Sequence, residues 1–268
     1  MSEKPQALQR ASEGAVIEPA PSWVELAART PARIALGRSG VSLPTREVLA
    51  FGLAHARARD AVHDALDVNR LRVELERQGW PVEVVASRAP NRAAYLARPD
   101  WGRRLDEDSD QRLRAAEAAR STVDLLLVLG DGLSASALQV HASPLLQSLR
   151  PKVAELRLAP LVIAKQARVA LADELGERFG ARMVAILIGE RPGLSSPDSL
   201  GVYLTAHPRV GRSDAERVCI SNIHGAGLGY EQAASQLAQS IAVGLRDGRT
   251  GVTQVLTALS PIQARPAD

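Results

Sequence analysis

Val123-Asp124-Leu125-Leu126-Leu127-Val128-Leu129-Gly130-Asp131-Gly132-Leu133-Ser134 decides the fold class. The run is apolar apart from Asp124, rich in Leu and Val, and it stops at Gly-Asp-Gly before a helical pattern that extends from Ser134 to Leu149. A short, nearly continuous apolar run suits a strand buried on both faces, the situation of a parallel sheet covered by helices. The same alternation recurs downstream. A weaker apolar segment covers Val153 to Ile163, a helix fits Val169 to Phe179, and a second strong run reads Met183-Val184-Ala185-Ile186-Leu187-Ile188. Short strands fit Gly201 to Thr205 and Val218 to Ile220, and a helix from Tyr230 to Leu245 covers one face. The expected architecture is α/β, with a mainly parallel sheet in residues 111–268.

Upstream the pattern is helical. Leu43-Pro44-Thr45 opens a long helix carrying Val48, Leu49, Ala54, Ala58, Val62 and Leu66 near helical spacing, with Glu47 in its first turn. A second helix from Val68 to Gln78 ends at Gly79, suited to a left-handed cap. Val82-Glu83-Val84-Val85-Ala86 reads as a strand or extended segment, and Asp106 to Ser121 as a polar helix. Residues 23–110 are therefore expected to form a helical N-terminal region. Residues 1–22, with Pro5, Pro19 and Pro21 and little apolar pattern, are expected to be a mobile tail.

Composition narrows the function classes. Of 268 residues 46% are hydrophobic, enough for a sizeable core, and no apolar run approaches the roughly 20 residues that cross a bilayer. Met1-Ser2-Glu3-Lys4 lacks the apolar stretch of a secretory signal, so a cytoplasmic protein without membrane association is expected. The 33 basic and 30 acidic residues leave a net charge of +3, too little for a polyanion partner, and 3% aromatics offer no base-stacking platform. Nucleic acid is not an expected partner. The single Cys219 excludes an internal disulfide and a multi-cysteine metal site, in keeping with a reducing compartment.

Ligands of doubly wound sheets lie beyond the carboxyl ends of the strands, so the loops after each apolar run are the places to search. Gly130-Asp131-Gly132-Leu133-Ser134-Ala135 matches G-x-G-x-x-A, a dinucleotide fingerprint, but neither Leu156 to Ala159 nor Leu161 to Ala164 ends in the acid that should follow. A phosphate-binding loop and a tight turn capped by Ser134 both remain open. Gly189-Glu190-Arg191-Pro192-Gly193 holds opposite charges in a turn: either a surface salt bridge, or a clamp in which Glu190 accepts from ligand amides and Arg191 donates to oxygens. Cys219 reads as a small buried or ligand-facing residue rather than a nucleophile, although His224 lies five residues on. His55, His63, His141 and His207 lack metal-ligand spacing.

Together these segments resemble the light (small) subunit of ethanolamine ammonia-lyase. The match rests on Thr45-Arg46-Glu47-Val48-Leu49, Tyr95-Leu96-Ala97-Arg98-Pro99-Asp100 with Gly102-Arg103-Arg104-Leu105, Asp131-Gly132-Leu133-Ser134, Gly189 to Leu194, and Cys219-Ile220-Ser221-Asn222-Ile223-His224. The resemblance implies a Rossmann-like domain that helps to bind adenosylcobalamin, in a hetero-oligomer whose heavy (large) subunit holds the substrate. It implies cofactor contacts at Val169, Glu190 and Cys219, and neither a catalytic residue nor a metal ligand in this chain. Asn222-Ile223-His224-Gly225-Ala226-Gly227 lacks the Asp of D-x-H-x-x-G, so His224 is not expected to ligate cobalt. Some family members carry a longer amphipathic leader that directs them into a bacterial microcompartment; residues 1–22 show only scattered apolar positions, so either that location or the free cytosol stays open. The alternative is a stand-alone Rossmann-like nucleotide-binding protein using Gly130-Asp131-Gly132.

Overall fold

The computed structural model describes residues 16–17, 21–117 and 121–251. They belong to two compact units, Met1–Ala58 and Arg59–Asp268. In the first, the two-residue strands β1 (Val16–Ile17) and β2 (Arg38–Ser39) pair antiparallel, with helix α1 (Pro21–Ala27) between them in sequence. Of the tail expected to be mobile, Val16 and Ile17 are thus paired and residues 21–22 open α1, while the remainder lies outside the described residues. Helix α2 (Thr45–His63) follows and crosses the division between the units.

The second unit continues with α3 (Val68–Arg77), β3 (Val82–Ala86), α4 (Arg92–Ala97), α5 (Glu107–Glu117), β4 (Val123–Gly130), α6 (Ala135–Leu149), β5 (Leu161–Lys165), α7 (Leu171–Arg178), β6 (Ala181–Gly189), β7 (Leu200–Ala206), β8 (Arg217–Ile223) and α8 (Tyr230–Asp247). Local signals start and stop these helices. The side chains of Asp67, Asn91 and Ser134 accept the N–H groups of Arg70, Ala94 and Ala137 at the starts of α3, α4 and α6, and Gly248 closes α8 in the left-handed conformation.

The six strands form one sheet in the order β3-β5-β4-β6-β7-β8. The first four are parallel, and the sheet takes in Val82–Ala86, upstream of residue 110, through pairing with β5. The last two are antiparallel. The sequence did not show that reversal. Its cause is the connections: a parallel return needs a crossover of about a dozen residues or more, usually a helix, and none lies between β6 and β7.

Strand periodicity builds two cores from each central strand. Leu125, Leu127 and Leu129 of β4 and Met183, Ala185 and Leu187 of β6 join the cluster on the α6 and α8 side. Leu126, Val128, Val184, Ile186 and Ile188 join the cluster that contains Leu171, Ala172 and Leu175 of α7. The chain leaves β4 for β5 on one side and returns across it to β6 on the other, so the loops diverge at the carboxyl end of β4 and leave a crevice there. The antiparallel pair is treated unequally: Leu200, Val202, Leu204, Ile220 and Ile223 are buried in the α6–α8 core, whereas on the opposite face Tyr203 is half-buried and Cys219 exposed.

Candidate functional site

The loop after β5, Gln166 to Val169, is gripped from four directions. The carboxylate of Asp131 accepts the N–H groups of Gln166 and Ala167, both at 2.9 Å. Ser87 Oγ donates to the Gln166 carbonyl at 2.7 Å, the Tyr95 hydroxyl to the Ala167 carbonyl at 3.0 Å, and Arg168 N–H to the Gly102 carbonyl at 2.8 Å. Gly102 is required because a Cβ there would press on Arg168 Cγ at 2.8 Å and on the Tyr95 ring at 3.0 Å. The Tyr95 ring carries the guanidinium groups of Arg168 and Arg92 at 4.2 and 4.9 Å from its centre. The Tyr95-to-Gly102 motif therefore holds in place the loop that ends at Val169, a half-exposed residue. Burial pushes the Asp131 carboxyl above the usual carboxylate range, against the opposing pull of those N–H groups and of Arg92 at 3.9 Å.

Between β4 and α6 the Gly-Asp-Gly turn packs against the end of β6. Gly132 has φ of +56°, and a Cβ on it would collide with the Gly189 carbonyl; one on Gly189 would collide with the Ser134 carbonyl. Leu133 N–H donates to the Gly189 carbonyl at 3.0 Å, and Ser134 caps α6 while donating to the Pro197 carbonyl at 2.9 Å. The space a phosphate would need is filled by backbone. Of the two readings of G-x-G-x-x-A, the tight capped turn is the one this packing favours.

Glu190 follows directly. Its Oε2 accepts the Ser199 hydroxyl at 2.5 Å and Asn222 N–H at 3.2 Å. Its Oε1 has no protein donor among the described residues and faces Gly201, where a Cβ would stand 2.9 Å away. No ion pair among the described residues joins it to the exposed Arg191. The turn is thus no internal salt bridge; it presents a carboxylate fixed on one oxygen and open on the other.

Cys219 pairs in register with Tyr203 across the β7–β8 ladder. Desolvation pushes the thiol up from its ordinary value and the Tyr203 phenol up to about 12, so both are neutral near pH 7. A protonated thiol is a poor nucleophile. His224 is engaged within its own loop: Ala226 N–H points at Nδ1 at 3.3 Å, leaving Nε2 to donate to Asn222 Oδ1 at 2.8 Å. A cavity of about 470 Å³ at this rim is bordered by Tyr95, Gly132, Arg168, Val169, Glu190 and Tyr203. Val169 and Glu190 thus line one space. Cys219 stands beside it, one strand farther out, next to Tyr203.

Comparison with known proteins settles the family. The model of the ethanolamine ammonia-lyase light chain matches residues 20–254. The chain belongs to the ethanolamine ammonia-lyase light chain family. It is 55% identical over 218 residues to the ethanolamine ammonia-lyase small subunit of Ralstonia nicotianae, covering 80% of this chain and 81% of that one. With the small subunit of Bradyrhizobium diazoefficiens the identity is 52% over 232 residues, 85% and 88% of the two chains. With that of Pseudomonas aeruginosa it is 51% over 233 residues, 86% and 85%. Membership of the ethanolamine ammonia-lyase light chain family makes this chain a lyase subunit. Among its described residues no helix is long and apolar enough to cross a membrane.

Sequence reasoning missed Ser199, Gly201 and Tyr203. Nothing near them signals a site, because they reach Glu190 and Cys219 only through the antiparallel pairing of β7. The Tyr95 motif was visible as part of the light-chain pattern, but not its grip on a loop more than seventy residues away.

Proposed function

We propose that this chain seats adenosylcobalamin against the rim and open face of its sheet, through Val169, Glu190 and Cys219, while a large subunit closes the other side and holds ethanolamine. The observation that carries the reading is the half-satisfied carboxylate of Glu190 beside Val169, on a face whose outer strand exposes Cys219. A corrin is a broad, largely apolar disc edged with carboxamide arms, so it calls for small or branched apolar groups beneath it and acceptors at its rim. The residues fit. Glu190 Oε1 can accept an amide N–H, and the absence of a side chain at Gly201 keeps that oxygen accessible. Val169 and Cys219 can make close contact without bulk.

When bound, adenosylcobalamin supplies a carbon-centred radical by homolysis of its cobalt–carbon bond, and this chemistry belongs to the cofactor. The chain's part is to hold and orient. Asp131 and Tyr95 fix the loop that presents Val169, and Ser199 fixes the rotamer of Glu190. Tyr203 and Cys219 remain protonated and move no proton near neutral pH. The hydrogen bonds at both ring nitrogens of His224 support leaving it off the metal.

The relatives are named small subunits, which implies a larger companion for each of them. On this reading the same holds here: purified alone, the chain has no ethanolamine deaminase activity. Co-expressed with its large subunit it yields an active complex that retains a corrin absorption spectrum through gel filtration. Activity from the isolated chain, or a complex that binds no corrin, would overturn the assignment.

A further inference from the structure

A second cavity, of about 380 Å³, opens on the other side of Val169 and shares Arg168, Val169 and Tyr203 with the first. Four arginines line it, and their partners divide them into two kinds. Arg217 is buried, with its guanidinium fully engaged by Asp173 at 2.7 Å, Thr205 Oγ1 at 2.8 Å, the Arg212 carbonyl at 3.1 Å and Asp214 at 3.2 Å. Arg212 is held by Glu216 and the His207 carbonyl. These two are structural.

No ion pair among the described residues includes Arg103 or Arg168; Asp100, near Arg103, is paired with Arg98. Arg168 makes only a marginal bond to the Tyr95 carbonyl at 3.5 Å, and its Nε is fully buried without an acceptor. Arg92, whose guanidinium also lies over the Tyr95 ring, likewise has a buried, unpaired Nη2. Asp131, the carboxylate nearest Arg92, is already engaged by two backbone N–H groups. Buried donors without acceptors are costly, and neighbouring cations without a counter-charge repel one another. In addition, the N–H groups of Val169 and Ala170, which border the same cavity, have no acceptor among the described residues.

We propose that Arg168 and Arg103 form a binding site for a phosphate-ester anion, adjoining the corrin seat across Val169. The proposal rests on the cofactor reading for its location but not for its chemistry. Planar guanidinium groups match phosphate oxygens, and backbone N–H groups complete such a site. Two sources could supply the anion: the phosphodiester that joins the nucleotide tail to the corrin in cobalamin, or free phosphate. We assign the first, because the cavity adjoins the space at Glu190, with Arg168, Val169 and Tyr203 as walls common to both.

The test uses the complex with its large subunit, purified in wild-type form and as Arg168→Gln, Arg168→Lys and Arg103→Gln. Equilibrium dialysis read by corrin absorbance gives the affinity for adenosylcobalamin and for adenosylcobinamide, which lacks the phosphate and nucleotide. Arg168→Gln is expected to weaken cobalamin binding about tenfold, the scale of one charge-assisted hydrogen bond, and to leave cobinamide binding within about twofold. Arg168→Lys should recover part of the loss, and Arg103→Gln, at an exposed position, should show a smaller selective loss in a folded complex. Equal weakening of both corrinoids would overturn the proposal and make Arg168 a purely structural partner of Tyr95. Inorganic phosphate, titrated by calorimetry, separates the sources. Arg168-dependent phosphate binding that competes with cobalamin but not with cobinamide supports the shared site. Arg168-dependent phosphate binding in a complex that takes up neither corrinoid would leave the anion site standing and remove the cofactor reading and the assigned source. No phosphate effect together with unchanged cobalamin affinity in all variants would overturn the site itself.

Discussion

Glu190 shows how one side chain can be made ready for a ligand by its neighbours. Ser199 and Asn222 hold Oε2, and Gly201 clears the approach to Oε1. In Glu190→Gln the amide must either oppose those two donors with its own N–H group or turn that group outward, and both lose an acceptor. On the proposed division of roles, the expected result is an adenosylcobalamin dissociation constant raised about tenfold, as for a hydrogen bond to a charged group, with the KM for ethanolamine unchanged. Equilibrium dialysis and steady-state kinetics of the assembled enzyme measure the two; a dissociation constant within twofold of wild type would remove Glu190 from the site. The sequence pattern singled out Glu190 as part of a charged turn after a strand and Cys219 as a lone cysteine beside a polar loop, while their reading as cofactor contacts came from the family resemblance. Ser199, Gly201 and the unpaired Arg168 were not legible there, because their significance lies in what stands opposite them in space. A sequence pattern gives the period of a strand but not the neighbour across the ladder.

Among the elements, the strands and helices were largely legible, since Leu and Val runs buried on both faces carry a strong signal in β4 and β6. The electrostatic ties between elements were not. Asp124, at the start of β4, accepts from the side chain and backbone N–H of Arg157 before β5 and from Arg182 of β6. These contacts, Arg157 first, hold its carboxyl down to about 2 from an ordinary 3.8. A carboxylate with a depressed native pKa binds fewer protons folded than unfolded between those values, so its stabilisation is present above about pH 4 and is lost as the pH falls toward 2. Thermal midpoints recorded from pH 5 to pH 2 should therefore separate wild type from Asp124→Asn at the upper end and bring them together at the lower. A constant gap would refute the linkage. Asp173 of α7 and Arg217 of β8 form a bidentate pair with both oxygens at 2.7 Å, and both residues are buried. Asp173→Asn leaves buried Arg217 with the solvent-exposed Asp214, at 3.2 Å, as its one remaining carboxylate partner, which should cost roughly 3–5 kcal/mol in urea unfolding. A loss below about 1 kcal/mol would mean that water reaches Arg217 and replaces the carboxylate.

For the whole molecule, the unequal covering of the sheet is the property that calls for a partner. Its three central parallel strands, β5, β4 and β6, are buried on both faces, but β7 and β8 are covered along their length by helices on one face only, α7 reaching the other just at Thr205 and Arg217, and β8 is also an edge strand. An edge strand with an open face has amides that exchange with solvent readily unless something lies over them. If the open face is where the corrin and the large subunit meet this chain, hydrogen exchange at Val218–Ile223 should slow by about tenfold or more on assembly with cofactor. The amides of α6, already enclosed against the opposite face, should change little. Protection is expected in two stages, because the two ligands do different things. Large subunit alone should shield the strand in part, and adenosylcobalamin should add protection concentrated at Cys219 and at the Glu190 turn. The order of these effects discriminates between mechanisms. Full protection of β8 by the large subunit alone, with no further change on adding the cofactor, would place the protein interface where the corrin is proposed to sit. The half-satisfied Glu190 would then be a contact to the partner chain instead of a rim acceptor for the ring.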